Sequence, residues 1–375
     1  MKRRAFIKFS TIAATACTMG QSLLSFADNT HIGNVVVILC RGGLDGVSAV
    51  QPRSQRLQEI REDCHINSPL KLTQEFDLHP KLRNFKSHWD NNNAAAVHAT
   101  GFSYSGRSHF DGQNIMEVGS YKPYTVSTGW LGRAMELKGL SSLALNLPTP
   151  IIARSLAPTS NFYPSKLIMP QHEDALAIKK LWANDPVLSG YTVDTTMSAM
   201  KKGGSRKASK LAKKMAQQMS LDGGPKVGFI EYSGFDTHSQ QGSDNGHQAK
   251  FIAEVDQIIK AFSENSSEEV WAKTLIVTVT EFGRTIYQNG SRGTDHGNAS
   301  AILMAGGLIK QRRVVTDWPG LEDKDLFEGR DLRETIDARD VYGDILHHAF
   351  DISKAQIRDI VFPGSKQKLD LGIWG

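Results

Sequence analysis

The sequence predicts an α/β fold, a mostly parallel central sheet with helices on both faces, and three observations predict it. The first is "NVVVILC" at 34–40, a continuous apolar run rich in β-branched residues that stops at "RGG". Such a run reads as a strand buried on both faces, because an edge strand with one wet face would alternate. The second is that four more segments read the same way: "AAAVHA" 94–99, "KVGFIEY" 226–232, "TLIVTVT" 274–280 and "AILMAGG" 301–307. The third is the helix-length stretch between two of them. In "HQAKFIAEVDQIIKAFSEN", Phe251, Ile252, Val255, Ile258, Ile259 and Phe262 share one helical face. Strands alternating with helices need crossovers that cover the sheet, and this favours parallel pairing.

The chain begins with "MKRRAFIKFS", continues through small and apolar residues, and reaches "SLLSFADNT". A basic start, an uncharged middle and small residues at Ser25 and Ala27 predict an export signal cut after Ala27. Arg3-Arg4 followed by Ala5, Phe6, Ile7 and Lys8 resembles a twin-arginine signal. That implies export in the folded state through the Tat machinery, to the periplasm or beyond the cell. Removing residues 1–27 takes away Lys2, Arg3, Arg4 and Lys8 and no acid, so the formal net charge drops from +5 to +1. A nearly neutral mature chain argues against nucleic acid as its main partner. No later stretch approaches eighteen uncharged apolar residues, so no membrane-spanning segment is expected after cleavage. Cys40 and Cys64 remain, and Cys40, ending the first strand, is expected to be a buried small hydrophobe.

The 348 residues after the signal suffice for one large α/β domain. Residues 139–223 fit the alternating pattern less well, with "NLPTPIIA", the basic stretch "KKGGSRKASKLAKKMAQQ" at 201–218, and "DGGP". They read as an inserted, cap-like segment, and the basic stretch as a solvated helical face or an anionic-surface contact.

Reactive groups in open α/β sheets collect beyond the carboxyl ends of strands. Four polar clusters follow strands here. After the first comes "RGGLDGVSAVQP", whose glycines permit a tight turn that aims Asp45 into the strand-end crevice. It has neither a GxxxxGK[ST] nor a GxGxxG pattern, so nucleotide binding has little support. After the second comes "RSHFDGQNIMEVG", a helix start with Ser108 at the cap and Asp111 in the first turn. Ser108 is a cap residue or a nucleophile helped by free helix N–H groups, with Arg107 and His109 as a candidate oxyanion clamp and a metal ligand or proton carrier.

"GFDTHSQQGSDNGHQ" offers Asp236 and His238 at i and i+2, on one side of an extended turn. They form either an oxygen–imidazole pair suited to Zn²⁺ or Mn²⁺ or an Asx turn with a solvated His. Last, "TEFGRTIYQNGSRGTDHG" supplies Glu281, Arg284 and the pair Asp295-His296. A buried Glu281–Arg284 ion pair is the bland reading; a charged site is the functional one.

The motifs "GGLDG", "RSHFDGQ", "TGWLGRAMEL", "GFDTH", "EFGRT" and "GTDHG", in this order behind Arg3-Arg4, resemble the DUF1501 family of exported bacterial proteins. That family is placed in the alkaline phosphatase-like superfamily with sulfatases and cofactor-independent phosphoglycerate mutases. The resemblance implies a two-metal site on the α/β sheet and a Ser, Thr or modified Cys nucleophile attacking phosphate or sulfate, with the number of ions in this chain, one or two, left open. Carried over by position, Ser108 matches the nucleophile, Asp236 and His238 the first metal pair, and His296 the late His that completes it.

Glu281 stands where the superfamily has Asp followed by His, and the next residue is Phe282; Cys40 stands where an Asp is expected, with Asp45 five residues on. A second metal therefore lacks its usual ligands, and Arg284 or Arg107 is expected to supply positive charge in its place. No CxPxR sequence is present for formylglycine, and no GxSxG for an α/β-hydrolase. The expectation is an exported hydrolase of anionic phosphate or sulfate esters: Ser108, Arg107 and Arg284 catalytic; Asp236, His238, His296, Glu281 and Asp45 metal-binding; His109 and Asp295 nearby. The alternative is a non-catalytic relative binding an anionic glycan or an envelope partner.

Overall fold

The computed structural model describes residues 32–145, 149–161, 172–184 and 207–375. The export signal and residues 201–206 of the basic stretch lie outside them.

The sheet is built on β1 (Asn34–Arg41), whose residues from Asn34 to Cys40 are all buried. The chain then forms β2 (Val50–Pro52), β3 (Leu70–Lys71), β4 (Phe76–Leu78) and β5 (Ala94–Gly101). It continues through β6 (Ser142–Leu145), β7 (Thr159–Asn161), β8 (Val227–Ser233), β9 (Thr274–Val279), β10 (Ser300–Ala305), β11 (Val314–Val315) and β12 (Ile336–Asp337). The main sheet runs β11-β5-β10-β9-β1-β8-β6-β7, with β12 also on β5, while β2, β4 and β3 form a small antiparallel sheet. Strand β1 pairs in parallel with β8 (Val35 opposite Val227) and with β9 (Val35 opposite Leu275).

All five sequence-predicted strands are present, and the sheet is mostly parallel as expected. One direction differs: β10 runs antiparallel to both β9 and β5. Two reversals cancel, so β5 points the same way as β9, β1 and β8. The carboxyl ends of all four therefore open on one edge.

Helices α1 (His109–Val118), α2 (Trp130–Lys138), α3 (Ala208–Met219), α4 (His247–Ser263) and α5 (Ala338–Phe350) cover the faces. On one face, Leu211 and Met215 of α3 and Ile252, Ile259 and Phe262 of α4 join Val36, Ile38 and Ile230 in a continuous core. Each such side chain contributes roughly 1.5–3 kcal/mol by leaving water. On the other face α5 inserts Tyr342, which stacks on Trp130 at 5.1 Å and donates to the Thr278 carbonyl at 3.0 Å. Cys40 and Cys64 are free and buried. Among the described residues no helix is long and apolar enough to cross a membrane.

The cap-like reading of 139–223 needs correction where residues are described. Strand β6 pairs in parallel with β8 and β7 with β6, so these pieces extend the central sheet. Helix α3 lays Leu211, Ala212, Met215 and Met219 on that sheet and turns Lys210 and Lys213 to solvent. The short strands escaped the sequence reading because Pro148 and Pro150 flank them with loop chemistry.

Asp45 is a second correction. It does not reach the crevice; it caps the helical turn Gly46–Ala49, and both oxygens are taken from inside. Oδ2 accepts from Arg61 Nη1 at 2.6 Å, Gln241 Nε2 at 2.6 Å and Ser48 Oγ at 2.8 Å. Both partners of the ion pair are shut from solvent, with side chains 1% and 0% exposed. Burial raises the Asp45 carboxyl, but Arg61 and the hydrogen bonds outweigh it and hold it below the ordinary range.

Removing one partner leaves the other charge buried alone, so Arg61→Met should destabilise the fold by about 3–5 kcal/mol in urea unfolding. The depressed carboxyl stabilises fully above the unfolded value near ~3.9 and is lost as pH falls through the folded one. The stability of Asp45→Asn/Arg61→Met should accordingly fall less steeply below about pH 4 than that of the parent.

Candidate metal centre

Three loops at the common edge bring the site together. The loop after β8 carries Asp236 and His238, α1 begins with His109 after β5, and the β9–β10 connection carries Glu281, Arg284, Asp295 and His296. That connection folds back on itself: Gly283 N donates to Asn298 O and Gly297 N to Gly283 O, each at 2.9 Å, which sets Arg284 beside His296. Only glycine fits at 283, since a Cβ there would lie 1.8 Å from the Ala299 carbonyl oxygen. The connection is tied to the β8 loop by Thr294 N donating to Thr237 O at 3.1 Å and by Asn289 Nδ2, which reaches His238 O at 2.9 Å and Asp295 Oδ1 at 3.0 Å.

The carboxylate of Asp236 is the centre. Its Oδ1 lies 2.9 Å from His238 Nε2, 3.0 Å from His296 Nε2 and 2.7 Å from Arg284 Nη1; its Oδ2 is 3.3 Å from His109 Nε2. Each imidazole presents its other nitrogen to an acceptor. His109 Nδ1 meets Glu281 Oε1 at 2.9 Å, His238 Nδ1 meets Asp295 Oδ1 at 2.8 Å, and His296 Nδ1 meets the Arg107 carbonyl at 2.7 Å. Arg107 takes a left-handed φ of 55°, uncommon outside glycine, and this turn delivers its carbonyl.

In the neutral rings those partners hold the hydrogen on Nδ1, and each Nε2 then turns a lone pair to the centre, where a cation, or a proton shared with Asp236, has to lie. His238 Nε2 and His296 Nε2 stand only 3.0 Å apart, where two lone pairs repel unless a cation or a proton lies between them. His109 Nε2 is buried and forms no hydrogen bond. These are the features of a divalent-ion site: imidazoles locked by outer acceptors, with an orphaned nitrogen aimed inward. Donors around a tetrahedral Zn²⁺ with bonds of about 2.0–2.2 Å lie about 3.3–3.6 Å apart, so an ion would spread the observed 2.9–3.3 Å spacings by a few tenths of an ångström. His109, Asp236 and His296 each offer a donor atom within 4.8 Å of the others, and His238 adds a fourth beside two of them. The centre is partly open, with Asp236 38% and His238 45% exposed, so small molecules can reach it.

Charge favours ligation at Asp236 and His296, while the raised His109 would give up a proton to an ion. Burial raises the Asp236 carboxyl, but Arg284 and the nearby imidazoles overcome this and bring it down to about 2. The hydrogen bond to Glu281 raises His109 above the ordinary imidazole value. Burial lowers His296, which favours the neutral form that can ligate.

The sequence-predicted residues divide accordingly. Asp236, His238, His296 and His109 meet, with Asp295 behind His238. Glu281 sits behind His109 instead of facing the centre: Oε1 accepts from His109 Nδ1, from Gly42 N at 2.8 Å and from Gln113 Nε2 at 3.1 Å. Arg284 is no clamp for an outside anion, since its side chain is 0% exposed and holds Asp236, the Gly42 carbonyl at 3.1 Å and the Thr294 carbonyl. Nor is the Arg107 guanidinium, which pairs with Glu328 at 2.6 Å and Asp331 at 2.8 Å. Ser108 caps α1, its Oγ only 3.5 Å from Asp111 N, between two residues that touch the centre. Gln113 and Asn289 were not anticipated. Gln113 had a signal, because i and i+4 put it on the helical face of His109; Asn289 had none.

The family model described as "Protein of unknown function (DUF1501)" matches residues 172–361, just over half of the chain. The chain belongs to DUF1501. Comparison with curated proteins yields no match. Among solved structures, this DUF1501 protein is similar to Ps i-CgsB in complex with k-i-k-neocarrahexaose, with a TM-score of 0.42, 10% identity, and 87% of this chain and 74% of that one covered. It is also similar to the phosphonate monoester hydrolase of Agrobacterium radiobacter, with a TM-score of 0.40, 9% identity and coverage of 78% and 73%. A third is the C-terminal periplasmic domain of EcEptC from Escherichia coli, a complex with Zn, with a TM-score of 0.36, 10% identity and coverage of 74% for each chain. At these scores the chemistry of the DUF1501 centre rests on its own side chains.

Calorimetric zinc titration of chelator-stripped protein should show binding here that His296→Ala abolishes. Glu281→Gln keeps the shape and loses the anchoring charge of His109, so it should weaken affinity by about 10–100-fold.

Proposed function

We propose that this DUF1501 protein is an exported, metal-dependent hydrolase of phosphate or sulfate esters. The observation that carries the reading is the convergence of three Nδ1-locked imidazoles on Asp236 at a solvent-open strand edge. A structural metal is normally enclosed, whereas an accessible one with imidazole and carboxylate donors serves chemistry. His109, Asp236 and His296, with His238, would hold a Zn²⁺-class ion, which supplies Lewis acidity to an anionic ester oxygen and favours ionisation of a nearby hydroxyl.

The chain's own residues do the rest. Ser108 stands at the start of α1, where free N–H groups favour negative charge. Its Oγ attacks phosphorus or sulfur, the ester oxygen departs with a proton, and water then releases the Ser108 ester. Asp295 and Glu281 keep His238 and His109 in the ligating tautomer. Arg284 keeps Asp236 ionised. Beside α1 a cleft of about 400 Å³, with Phe110, Tyr124 and Arg154 in its walls, offers room for the remainder of an ester.

A second reading, a binder of an anionic glycan or partner, is favoured by one observation: both arginines expected to clamp an anion are engaged by the protein's own carboxylates and carbonyls. Turnover of aryl phosphate and aryl sulfate by the mature, zinc-loaded protein separates the two. The hydrolase reading expects activity that a chelator removes and that Ser108→Ala lowers roughly a thousandfold with zinc affinity retained. Zinc bound at the centre, with no turnover of either ester and no effect of Ser108→Ala, would replace it with the binding reading.

A further inference from the structure

Near the end of the chain, α5 and the C-terminal segment bring together another set of donors, of which Asp344 is buried and His348 and Asp370 are exposed. Asp344 and His348 lie at i and i+4 on α5, on one helical face. Asp370 faces them from the C-terminal segment, and one donor atom from each of the three lies within 4.8 Å of the others. Clusters of this kind are common on surfaces without meaning, so the buried member decides. The Asp344 side chain is 0% exposed, and its two oxygens are treated differently. Oδ2 accepts from Trp374 Nε1 at 2.8 Å and Leu371 N at 3.1 Å. Oδ1 is buried and has no hydrogen-bond partner.

An ionised carboxylate oxygen left without a donor in a buried place is costly. Its nearest titratable neighbours are His348 Nε2 at 3.8 Å and Lys354 Nζ at 3.7 Å, both beyond hydrogen-bond reach. Lys354 instead donates to the Leu369 carbonyl at 2.9 Å. The ring of His348 is stacked on Trp374 at 4.7 Å, so the side chain that fixes Asp344 Oδ2 also fixes the imidazole. Asp370 is steadied by Gly372 N, which donates to its Oδ1 at 2.8 Å.

We propose that Asp344, His348 and Asp370 form a second divalent-cation site that ties the C-terminal segment to α5. One nitrogen and two carboxylate oxygens suit a Zn²⁺-class ion better than Ca²⁺, which prefers oxygen throughout. The ion gives Asp344 Oδ1 its missing partner and bridges two segments distant in sequence. Its role is structural, because the ion would join α5 to the C-terminal segment at the buried Asp344, with His348 and Asp370 on the solvent side. Lys354 opposes it: the ammonium competes for Asp344 and repels a cation.

The test isolates this site by disabling the first. In His238→Ala/His296→Ala protein stripped with chelator, zinc should raise the thermal midpoint by several degrees in a saturable way. Asp370→Asn and His348→Gln should each abolish the rise measured against the same variant in chelator, the His348 variant starting a few degrees lower for want of its stack on Trp374. Lys354→Met should tighten binding roughly tenfold. If the double-Ala background does not fold, zinc stoichiometry of the intact chain takes its place, and His348→Gln should lower it by one. A zinc shift that survives both Asp370→Asn and His348→Gln overturns the proposal, as does zinc binding with unchanged stoichiometry in His348→Gln.

Discussion

The guanidinium of Arg284 holds the strand edge in register. It is fully buried, and its donors go to three pieces of chain with no sequence proximity: the Gly42 carbonyl after β1, Asp236 after β8, and Thr294 in the β9–β10 connection. A buried charge with that many obligations does not tolerate displacement, since each lost bond leaves a desolvated polar group. Gly42 answers in kind: its N–H goes to Glu281 and its carbonyl takes Arg284, while a Cβ there would meet Asp236 N at 2.5 Å. The loops are thus locked before any ligand is present.

The same logic explains why the cluster carries two carboxylates, Asp295 and Glu281, that face imidazoles and not the centre. Asp295 and Glu281 select the tautomers of His238 and His109, and a backbone carbonyl does this for His296. A chain of hydrogen bonds continues outward: Thr294 Oγ1 donates to Gln241 Oε1 at 2.6 Å, and Gln241 Nε2 donates to Asp45 at 2.6 Å. Asp45, paired with Arg61, is therefore a support lying behind the centre. Rigidity bought in this way keeps the imidazoles in place while leaving Asp236 and His238 open to solvent.

Much of the fold was legible because buried parallel strands must be apolar along their whole length, and "NVVVILC" and "TLIVTVT" can be little else. The pieces at 142–145 and 159–161 were not, being too short for a period and surrounded by turn residues. Of the centre, the residue types and their strand-end positions could be read, and Asp236, His238 and His296, which the structure brings together, were among the residues singled out. The roles could not. Glu281, Arg284 and Arg107 are charged groups near a strand end, and whether such a group faces a ligand or supports a neighbour depends on a rotation of a few ångströms.

By itself the sequence determined the α/β class, the strands that meet at one edge and the cluster of Asp and His beyond them, because hydrophobic periodicity and residue chemistry are local properties. The tertiary structure decided the reversal of β10, the withdrawal of Asp45 to Arg61, the recruitment of His109 and the orphaned oxygen of Asp344. Each of these depends on which groups separated by tens to hundreds of residues compete for the same buried space, and that competition is settled only when the chain has closed.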